Sequence, residues 1–268
     1  MSMHTWVLLR GLTRESGHWG DFPARLQRAL LVQQPDARLE LLDLPGNGDK
    51  HRQSSPTHVD AMMEACRAEL RRRGVPPPYQ VLAMSLGAMV ASEWAARHPG
   101  ELDGVVLINT SLRPFSAFFR RLRPSNYWSL LMLSLTRLSL RRREAKVLQM
   151  TTRLQRQPDQ VIDDWVSIQR RRPVRRRNAL RQLLAAARYR ASLAKPEPPM
   201  LLLCSQGDSL VDWRCSQAIS RAWGAPLRLH KHAGHDLPLD DGDWVARNVV
   251  DWLHVREVVG QITTPMPL

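Results

Sequence analysis

The sequence has 268 residues, 43% of them apolar, and 39 lysines and arginines against 25 aspartates and glutamates give a formal net charge of +14. This length is sufficient for one large domain with a sizeable hydrophobic core. The N-terminal apolar run is too short for a signal peptide, and no run approaches the ~20 residues that span a bilayer, so we expect a soluble, cytoplasmic protein.

Apolar runs alternate with helical patterns along most of the chain. Continuous apolar runs predict six strands, at residues 5–9, 38–42, 80–84, 104–108, 200–204 and 227–231. Helical periodicity predicts helices at residues 19–31, 56–73 (with Thr57 as N-cap), 87–97 and 244–255. Strands of this kind, alternating with helices, are typical of a parallel sheet covered on both faces. The predicted fold class is therefore α/β.

The alternation is interrupted once, between Leu112 and Pro196. Residues 113–195 show only helical patterns and contain 21 basic residues against four acidic ones, whereas the rest of the chain has 18 basic against 21 acidic. The whole positive excess therefore lies in this segment. We predict a core domain of residues 1–112 and 196–268, with an all-α, arginine-rich domain of residues 113–195 inserted between the fourth and fifth strands.

A lone serine, Ser85, stands in the apolar stretch VLAMSLGAMV between the third strand and the next helix. So tight a turn strains the residue at its apex and requires small neighbours two positions away, here Ala83 and Gly87. The hydroxyl then projects at the carboxyl edge of the sheet, beside helix N–H groups that favour negative charge. This placement suits a nucleophile, although a buried N-cap serine would fit the same pattern.

A serine nucleophile needs a base, and the base needs an orienting group. Asp208 follows the fifth predicted strand and His235 follows the sixth, at the strand ends where parallel sheets place ligands. Asp212 is the nearest alternative acid. Six other histidines lack such a position: His4, His18, His51, His58, His98 and His254.

Metal and disulfide chemistry have weak support in the sequence. His230 and His232 share one strand face, but no cysteine or carboxylate cluster completes a metal site. The cysteine count is odd and the spacing is unlike that of metal ligands, so we expect buried free thiols at Cys66, Cys204 and Cys215. No metal or organic cofactor is expected.

The chain resembles α/β-hydrolases with a helical cap, in segments that occur in the family's order: RGL at 10–12, DLPGNG at 43–48, AMSLG at 83–87, GDSLV at 207–211 and AGH at 233–235. The resemblance implies that Ser85 is the nucleophile, His235 the general base and Asp208 its orienting acid. It also implies an oxyanion hole formed by the backbone N–H groups of Leu12 and Leu86.

Three departures from the family pattern affect these expectations. Arg10 stands where the family usually has histidine before the first-loop glycine, so the support of that loop is expected to differ. Ala83 replaces the first glycine of the serine turn. Because the glycine loop begins at Gly11, there is no room for the family's first two strands, and we expect six strands in the order 2-1-3-4-5-6.

Serine at the nucleophile position narrows the reaction that the resemblance implies. Dehalogenases and epoxide hydrolases of this family use aspartate there, whereas serine implies an acyl-enzyme. We predict hydrolysis of a carboxylic ester or thioester. Hydrolysis of a lactone, an amide or a carbon–carbon bond is an alternative with the same nucleophile.

The arginines of residues 113–195 are either solvated helix faces or a docking surface for an anionic partner. An acidic acyl carrier protein or a coenzyme A thioester fits the second interpretation, and an anionic phospholipid surface is another. A nucleic-acid-binding protein on a degenerate hydrolase scaffold, or an inactive scaffold, is less favoured because Ser85, Asp208 and His235 are all present. The apolar residues of the cap either line an acyl pocket or pack its helices: Phe115, Phe118, Phe119, Tyr127, Trp128, Leu131, Met132 and Leu135.

Overall fold

A computed structural model describes residues 4–129, 133 and 138–263 of the chain. In these residues six strands form one sheet: β1 (Thr5–Leu9), β2 (Arg38–Leu42), β3 (Tyr79–Met84), β4 (Leu102–Ile108), β5 (Met200–Ser205) and β6 (Leu227–His230). Their order is β2-β1-β3-β4-β5-β6, and every neighbouring pair is parallel. The predicted fold class and strand order are both confirmed.

Ten α-helices lie wholly within the described residues. They are α1 (Phe22–Leu30), α2 (Val59–Arg72), α3 (Leu86–Arg97), α4 (Phe118–Arg121), α5 (Leu140–Thr151), α6 (Pro158–Arg171), α7 (Arg176–Arg188), α8 (Arg214–Trp223), α9 (Leu237–Asp240) and α10 (Gly242–Thr263). Helix α2 has His58 rather than Thr57 as its N-cap, because the Thr57 hydroxyl contacts the His58 ring instead of a helix N–H. Helix α10 begins earlier than predicted because Asp241 Oδ1 accepts a hydrogen bond from the Trp244 N–H.

Both faces of the sheet are covered, which explains why its strands are apolar without alternation. In β3, Val81 and Ala83 pack against the face that carries α2, α3 and α8. Leu82 and Met84 point to the opposite face, where α1 and α10 pack. Because β3 lies in the middle of the sheet, the residue that follows it, Ser85, stands at the centre of the carboxyl edge.

The helical insertion (residues 113–195) joins β4 to β5. Its α5 and α6 pack around a small apolar cluster of their own, which contains Leu148 and Trp165. Helix α7 differs, because its Ala185 belongs to the main core. Three of the apolar residues that we expected either to line an acyl pocket or to pack the insertion helices lie outside the described residues: Leu131, Met132 and Leu135.

The three cysteines are free and buried, as predicted: Cys66, Cys204 and Cys215. Burial raises the pKa of the Cys66 and Cys204 thiols to about 12, which keeps them protonated and unreactive near neutral pH. None of the helices in the described part of the chain combines the length and the hydropathy needed to cross a bilayer.

Candidate active site

Ser85 occupies a strained turn between β3 and α3. Its backbone has φ +55° and ψ −116°, a conformation that residues with a side chain rarely adopt. The Ser85 N–H donates to the carbonyl oxygen of Ile108 at 3.0 Å, which ties the turn to the end of β4. Ser85 is partly exposed, whereas the residues on either side of it are buried. The turn therefore presents one hydroxyl at the carboxyl edge of the sheet.

The first turn of α3 packs directly on the end of β1. A Cβ atom added to Gly87 would lie 2.6 Å from the carbonyl oxygens of both Leu9 and Arg10. Only glycine fits this approach without a shift of the backbone. The contact brings the N-terminus of α3, which begins at Leu86, beside the loop that leaves β1.

The β1 loop (residues 10–15) lies against the serine. A Cβ atom added to Gly11 would lie 3.0 Å from Ser85 Cβ and 3.5 Å from Ser85 Oγ. The residue after Gly11 is Leu12, one of the two predicted oxyanion donors. Both predicted donors, Leu12 and Leu86, are thus adjacent in sequence to a residue that forms this part of the site.

Asp208 and His235 form a buried pair. Asp208 Oδ2 lies 2.7 Å from His235 Nδ1. The other oxygen, Oδ1, accepts the N–H groups of Leu210 at 2.8 Å and Val211 at 2.9 Å. Because an ionised carboxylate only accepts hydrogen bonds, Nδ1 carries the proton and Nε2 of the neutral ring is the nitrogen able to accept one.

Charge around His235 changes its basicity. Burial acts to lower the pKa of this imidazole, but the charge and hydrogen bond of Asp208, together with the charge of Asp236, outweigh burial. The pKa of His235 is therefore raised above its usual 6.5. A raised pKa favours the imidazolium that forms when the ring accepts a proton from a nucleophile.

Asp212, the alternative acid, has a different position and partners. Its Oδ1 accepts the Arg214 N–H at 3.0 Å, at the start of α8, and its own N–H donates to the Arg120 carbonyl oxygen at 2.9 Å. These contacts cap a helix and join it to the insertion. The structure thus pairs His235 with Asp208 and gives Asp212 a structural role.

His230 is likewise occupied by structural contacts. Its Nδ1 accepts the N–H groups of His232 at 3.2 Å and Ala233 at 2.9 Å, and its Nε2 lies 3.2 Å from Asp241 Oδ2. The ring therefore holds the His235 loop (residues 231–236) on the end of β6. Its contacts are those of a structural histidine.

Asn109 is a residue that the sequence analysis did not identify. It follows β4 with φ +44°, and its Nδ2 donates to the carbonyl oxygens of His235 at 2.7 Å and Gly234 at 3.2 Å. Its Oδ1 accepts the Ser205 N–H at 2.8 Å. One side chain thus joins the His235 loop to the end of β5, next to the residue that anchors Ser85. Asparagine tolerates positive φ better than most residues, which was the available sequence signal.

Two helices of the insertion are bound to loops of the site. The C-terminal residue of α5, Thr151, accepts the Asp236 N–H at 2.7 Å. In α7, fully buried Gln182 accepts the Thr13 N–H at 2.8 Å and donates to Asn47 Oδ1 at 2.8 Å. One helix therefore holds the His235 loop and another holds the β1 loop.

The described aromatic residues of the insertion were expected either to line an acyl pocket or to pack the helices onto the core. Phe115 packs edge-on against Trp223, with ring centroids 5.4 Å apart. Four others are exposed instead of packed: Phe118, Phe119, Tyr127 and Trp128. Of the two interpretations, packing onto the core therefore holds for Phe115, and the remaining four face solvent.

Comparison with known proteins gives a family match over most of the chain and relatives that align over shorter segments. The model of the Alpha/beta hydrolase family matches residues 6–248. A Pimeloyl-[acyl-carrier protein] methyl ester esterase from Chromobacterium violaceum is 39% identical over 75 residues, which cover 28% of this chain and 27% of that protein. A protein of the same name from Yersinia enterocolitica is 32% identical over 105 residues, 39% of this chain and 36% of that protein.

A solved structure supports the same fold. The structure of a thermophilic esterase from Thermogutta terrifontis superposes with a TM-score of 0.71, covering 94% of this chain and 90% of that chain at 17% identity. Such low identity establishes the fold and no more. The chain spans about a quarter to a third of the length of the two curated relatives.

Proposed function

Because this chain belongs to the alpha/beta hydrolase family, we propose that it is an ester or thioester hydrolase that forms an acyl-enzyme on Ser85. The observation that carries the proposal is the buried Asp208–His235 pair, with Oδ2 and Nδ1 2.7 Å apart, at the sheet edge where Ser85 occupies its strained turn. The positions of Ile108 and Asn109 support this assignment, because adjacent residues bind the backbones of Ser85 and His235.

In the proposed reaction, His235 Nε2 takes the proton from Ser85 Oγ as Oγ bonds to the carbonyl carbon of the substrate. The carbonyl oxygen becomes an oxyanion, which the N–H groups of Leu12 and Leu86 stabilise. The imidazolium then protonates the departing alcohol or thiol, and the acyl group remains on Ser85. Water, deprotonated by His235, releases the acid and restores the serine. Asp208 fixes the ring and stabilises its positive form.

The test is hydrolysis of p-nitrophenyl esters of graded acyl length. We expect the wild-type chain to hydrolyse short and medium esters, and Ser85→Ala to lose at least about 10³-fold in kcat. Ser192→Ala, at an exposed serine of the insertion, is the matched control and retains wild-type rates. Equal rates for wild type and Ser85→Ala would refute the proposal.

A carrier-bound acyl group is the substrate class that the charge distribution favours. Three of the four acidic residues of the insertion already pair with arginine: Glu144 with Arg14, and Asp159 and Asp163 with Arg141. Many other arginines of the insertion are exposed: Arg120, Arg142, Arg156, Arg170, Arg175, Arg177 and Arg188. The two curated relatives are named for an ester of an acyl carrier protein. We propose that an acidic acyl carrier protein or coenzyme A docks on these arginines.

Charge reversal at the start of α7 tests the docking. Arg175→Glu with Arg177→Glu should lower kcat/KM for an acyl-carrier ester about 10-fold or more at low salt, because electrostatic steering governs association. Hydrolysis of a neutral p-nitrophenyl ester should not change. Arg228→Glu, an exposed position on β6, makes the same charge change as a control. If carrier substrates show no dependence on salt or on these arginines, the docking proposal is wrong. Wild-type binding to anionic vesicles that Arg175→Glu with Arg177→Glu abolishes would instead assign the surface to phospholipid.

A further inference from the structure

Arg10 and Asp236 form a buried, two-point ion pair. Arg10 Nη1 lies 3.0 Å from Asp236 Oδ1, and Nη2 lies 2.5 Å from Oδ2. Arg10 is 2% exposed and Asp236 is 3% exposed. The two planar groups meet in the fork geometry that only arginine provides, so the pair fixes orientation as well as distance.

The pair joins the residues that flank the three parts of the proposed site. Arg10 directly precedes Gly11, whose loop lies against the serine, and Asp236 directly follows His235. Arg10 Nη1 also lies 3.6 Å from the sulfur of Met84, the residue before Ser85. The Arg10 guanidinium, which belongs to the β1 loop, therefore contacts the residue before the proposed nucleophile and the residue after the proposed base.

Both partners are held in place from other directions. The Arg10 guanidinium lies over the ring of Trp19, 4.6 Å from its centroid, a favourable cation–π contact. The Asp236 N–H donates to the Thr151 carbonyl oxygen at 2.7 Å, so the insertion holds the backbone of the residue whose side chain Arg10 binds. The pair has little freedom to rearrange.

We propose that the Arg10–Asp236 ion pair is a positioning device that keeps His235 in register with Ser85 and with the β1 loop. The proposal rests on the function proposed above, and it makes Arg10 and Asp236 positioning residues that do not touch the substrate. Arginine at position 10, where the family usually has histidine, is long enough to reach the His235 loop and bind the Asp236 carboxylate there.

Three charged groups from different loops act on His235, and a fourth binds the residue before it. Asp208 approaches from the loop after β5, Asp236 from the His235 loop and Arg10 from the β1 loop. Asp240, on α9, accepts the Gly234 N–H at 2.6 Å. Asp236 acts to raise the pKa of His235 and Arg10 acts to lower it, so loss of either partner alone disturbs the base in opposite directions.

A double-mutant cycle tests the proposal: wild type, Arg10→Met, Asp236→Asn and the neutral double variant. For each protein, kcat and KM for a p-nitrophenyl ester are measured across pH, with active sites counted by fluorophosphonate labelling. We expect Arg10→Met to lose about 10²-fold in kcat, because a displacement of about 1 Å at reacting groups costs that much. KM should change less. The midpoint of the acid limb of the kcat/KM profile should move to higher pH in Arg10→Met and to lower pH in Asp236→Asn. In the double variant the midpoint should return toward the wild-type pH.

Arg10→Lys separates geometry from charge. Lysine keeps the positive charge but cannot make the two-point contact with the carboxylate. We therefore expect a wild-type midpoint for the acid limb and a kcat about 10-fold lower. Arg67→Met is the matched control, since it removes an arginine from an ion pair with Glu101 that lies away from the site. It should lower thermal stability while the labelled enzyme keeps its kcat and its acid limb.

The outcomes distinguish this proposal from the function on which it rests. If wild type shows no hydrolysis that depends on Ser85, the proposed function has failed. If wild type is active and folded Arg10→Met keeps both its kcat and its acid limb, the positioning role is wrong. Should Arg10→Met fail to fold, the neutral double variant and Arg10→Lys decide, and wild-type kcat in both would overturn the proposal.

Discussion

Asp208 Oδ2 and His235 Nδ1 lie 2.7 Å apart, and both side chains are buried. This contact links two loops that leave neighbouring strands, β5 and β6. It orients Nε2 of the imidazole and raises its affinity for a proton.

The first prediction concerns the pH dependence of catalysis. A protonated imidazole cannot act as a base, so kcat/KM should fall as the pH drops through the pKa of His235. Since that pKa is raised above 6.5, the midpoint of the acid limb should lie above pH 6.5. Asp208→Asn should move the midpoint down and lower kcat by about 10⁴-fold, as loss of the orienting carboxylate does in serine hydrolases. If the midpoint of the acid limb is unchanged in Asp208→Asn, Asp208 does not act on the group that serves as the base.

The second prediction concerns Asn109. Asn109→Gly keeps the positive φ without strain but removes the hydrogen bonds to His235 and Ser205. We expect a loss of about 1–3 kcal/mol in the free energy of unfolding, because buried polar groups lose their partners, together with a lower kcat. Denaturant titration and ester kinetics measure the two effects. Wild-type kcat in a folded Asn109→Gly protein would show that the bond to His235 has no catalytic role.

The third prediction concerns the buried face of α7. Gln182→Leu removes the partner of the Thr13 N–H and the Gln182 bond to Asn47 Oδ1, so we expect it to lower the free energy of unfolding by about 2 kcal/mol. Leu183→Gln, one position along, changes an exposed side chain and should shift stability by no more than about 0.5 kcal/mol. Urea titrations of both variants check this. A larger loss for Leu183→Gln would mean that α7 packs through its leucine face.

The fourth prediction concerns the pH dependence of stability. Burial, together with the charges of Arg14 and Arg10, lowers the pKa of His18 well below 6.5. The folded protein thus keeps this ring neutral while the unfolded chain binds a proton below about pH 6.5, so acidification favours unfolding by up to about 1.4 kcal/mol per pH unit. His18→Gln should lose less stability than wild type between pH 6.5 and 5, and exposed His254→Gln should behave like wild type. Equal slopes for all three would contradict the assignment.

Sequence alone predicts the sheet well, for physical reasons. A strand buried on both faces must be apolar throughout, so β3 and β5 are visible as continuous runs, and a strained serine turn needs small neighbours such as Gly87. The carboxyl ends of parallel strands then place Ser85, Asp208 and His235 on one edge.

Contacts between distant segments are where sequence reasoning fails. The residues of the Arg10–Asp236 pair are 226 positions apart, and neither periodicity nor composition relates them. Helix α7 is a second case, because its Leu180 and Leu183 are exposed while Asn178 and Gln182 are buried. Hydrophobic periodicity favours the opposite orientation, since it takes no account of hydrogen bonds to loops that meet the helix only in the folded chain.

The most direct measurement is the mass of the covalent intermediate. The chain is mixed with a p-nitrophenyl ester, quenched in acid within milliseconds to seconds, digested and analysed by mass spectrometry. We predict an acyl adduct on Ser85, absent from Ser85→Ala and greatly reduced in His235→Ala. Hydrolysis that proceeds with no adduct on Ser85, or an adduct on another serine, would contradict an acyl-enzyme at this position.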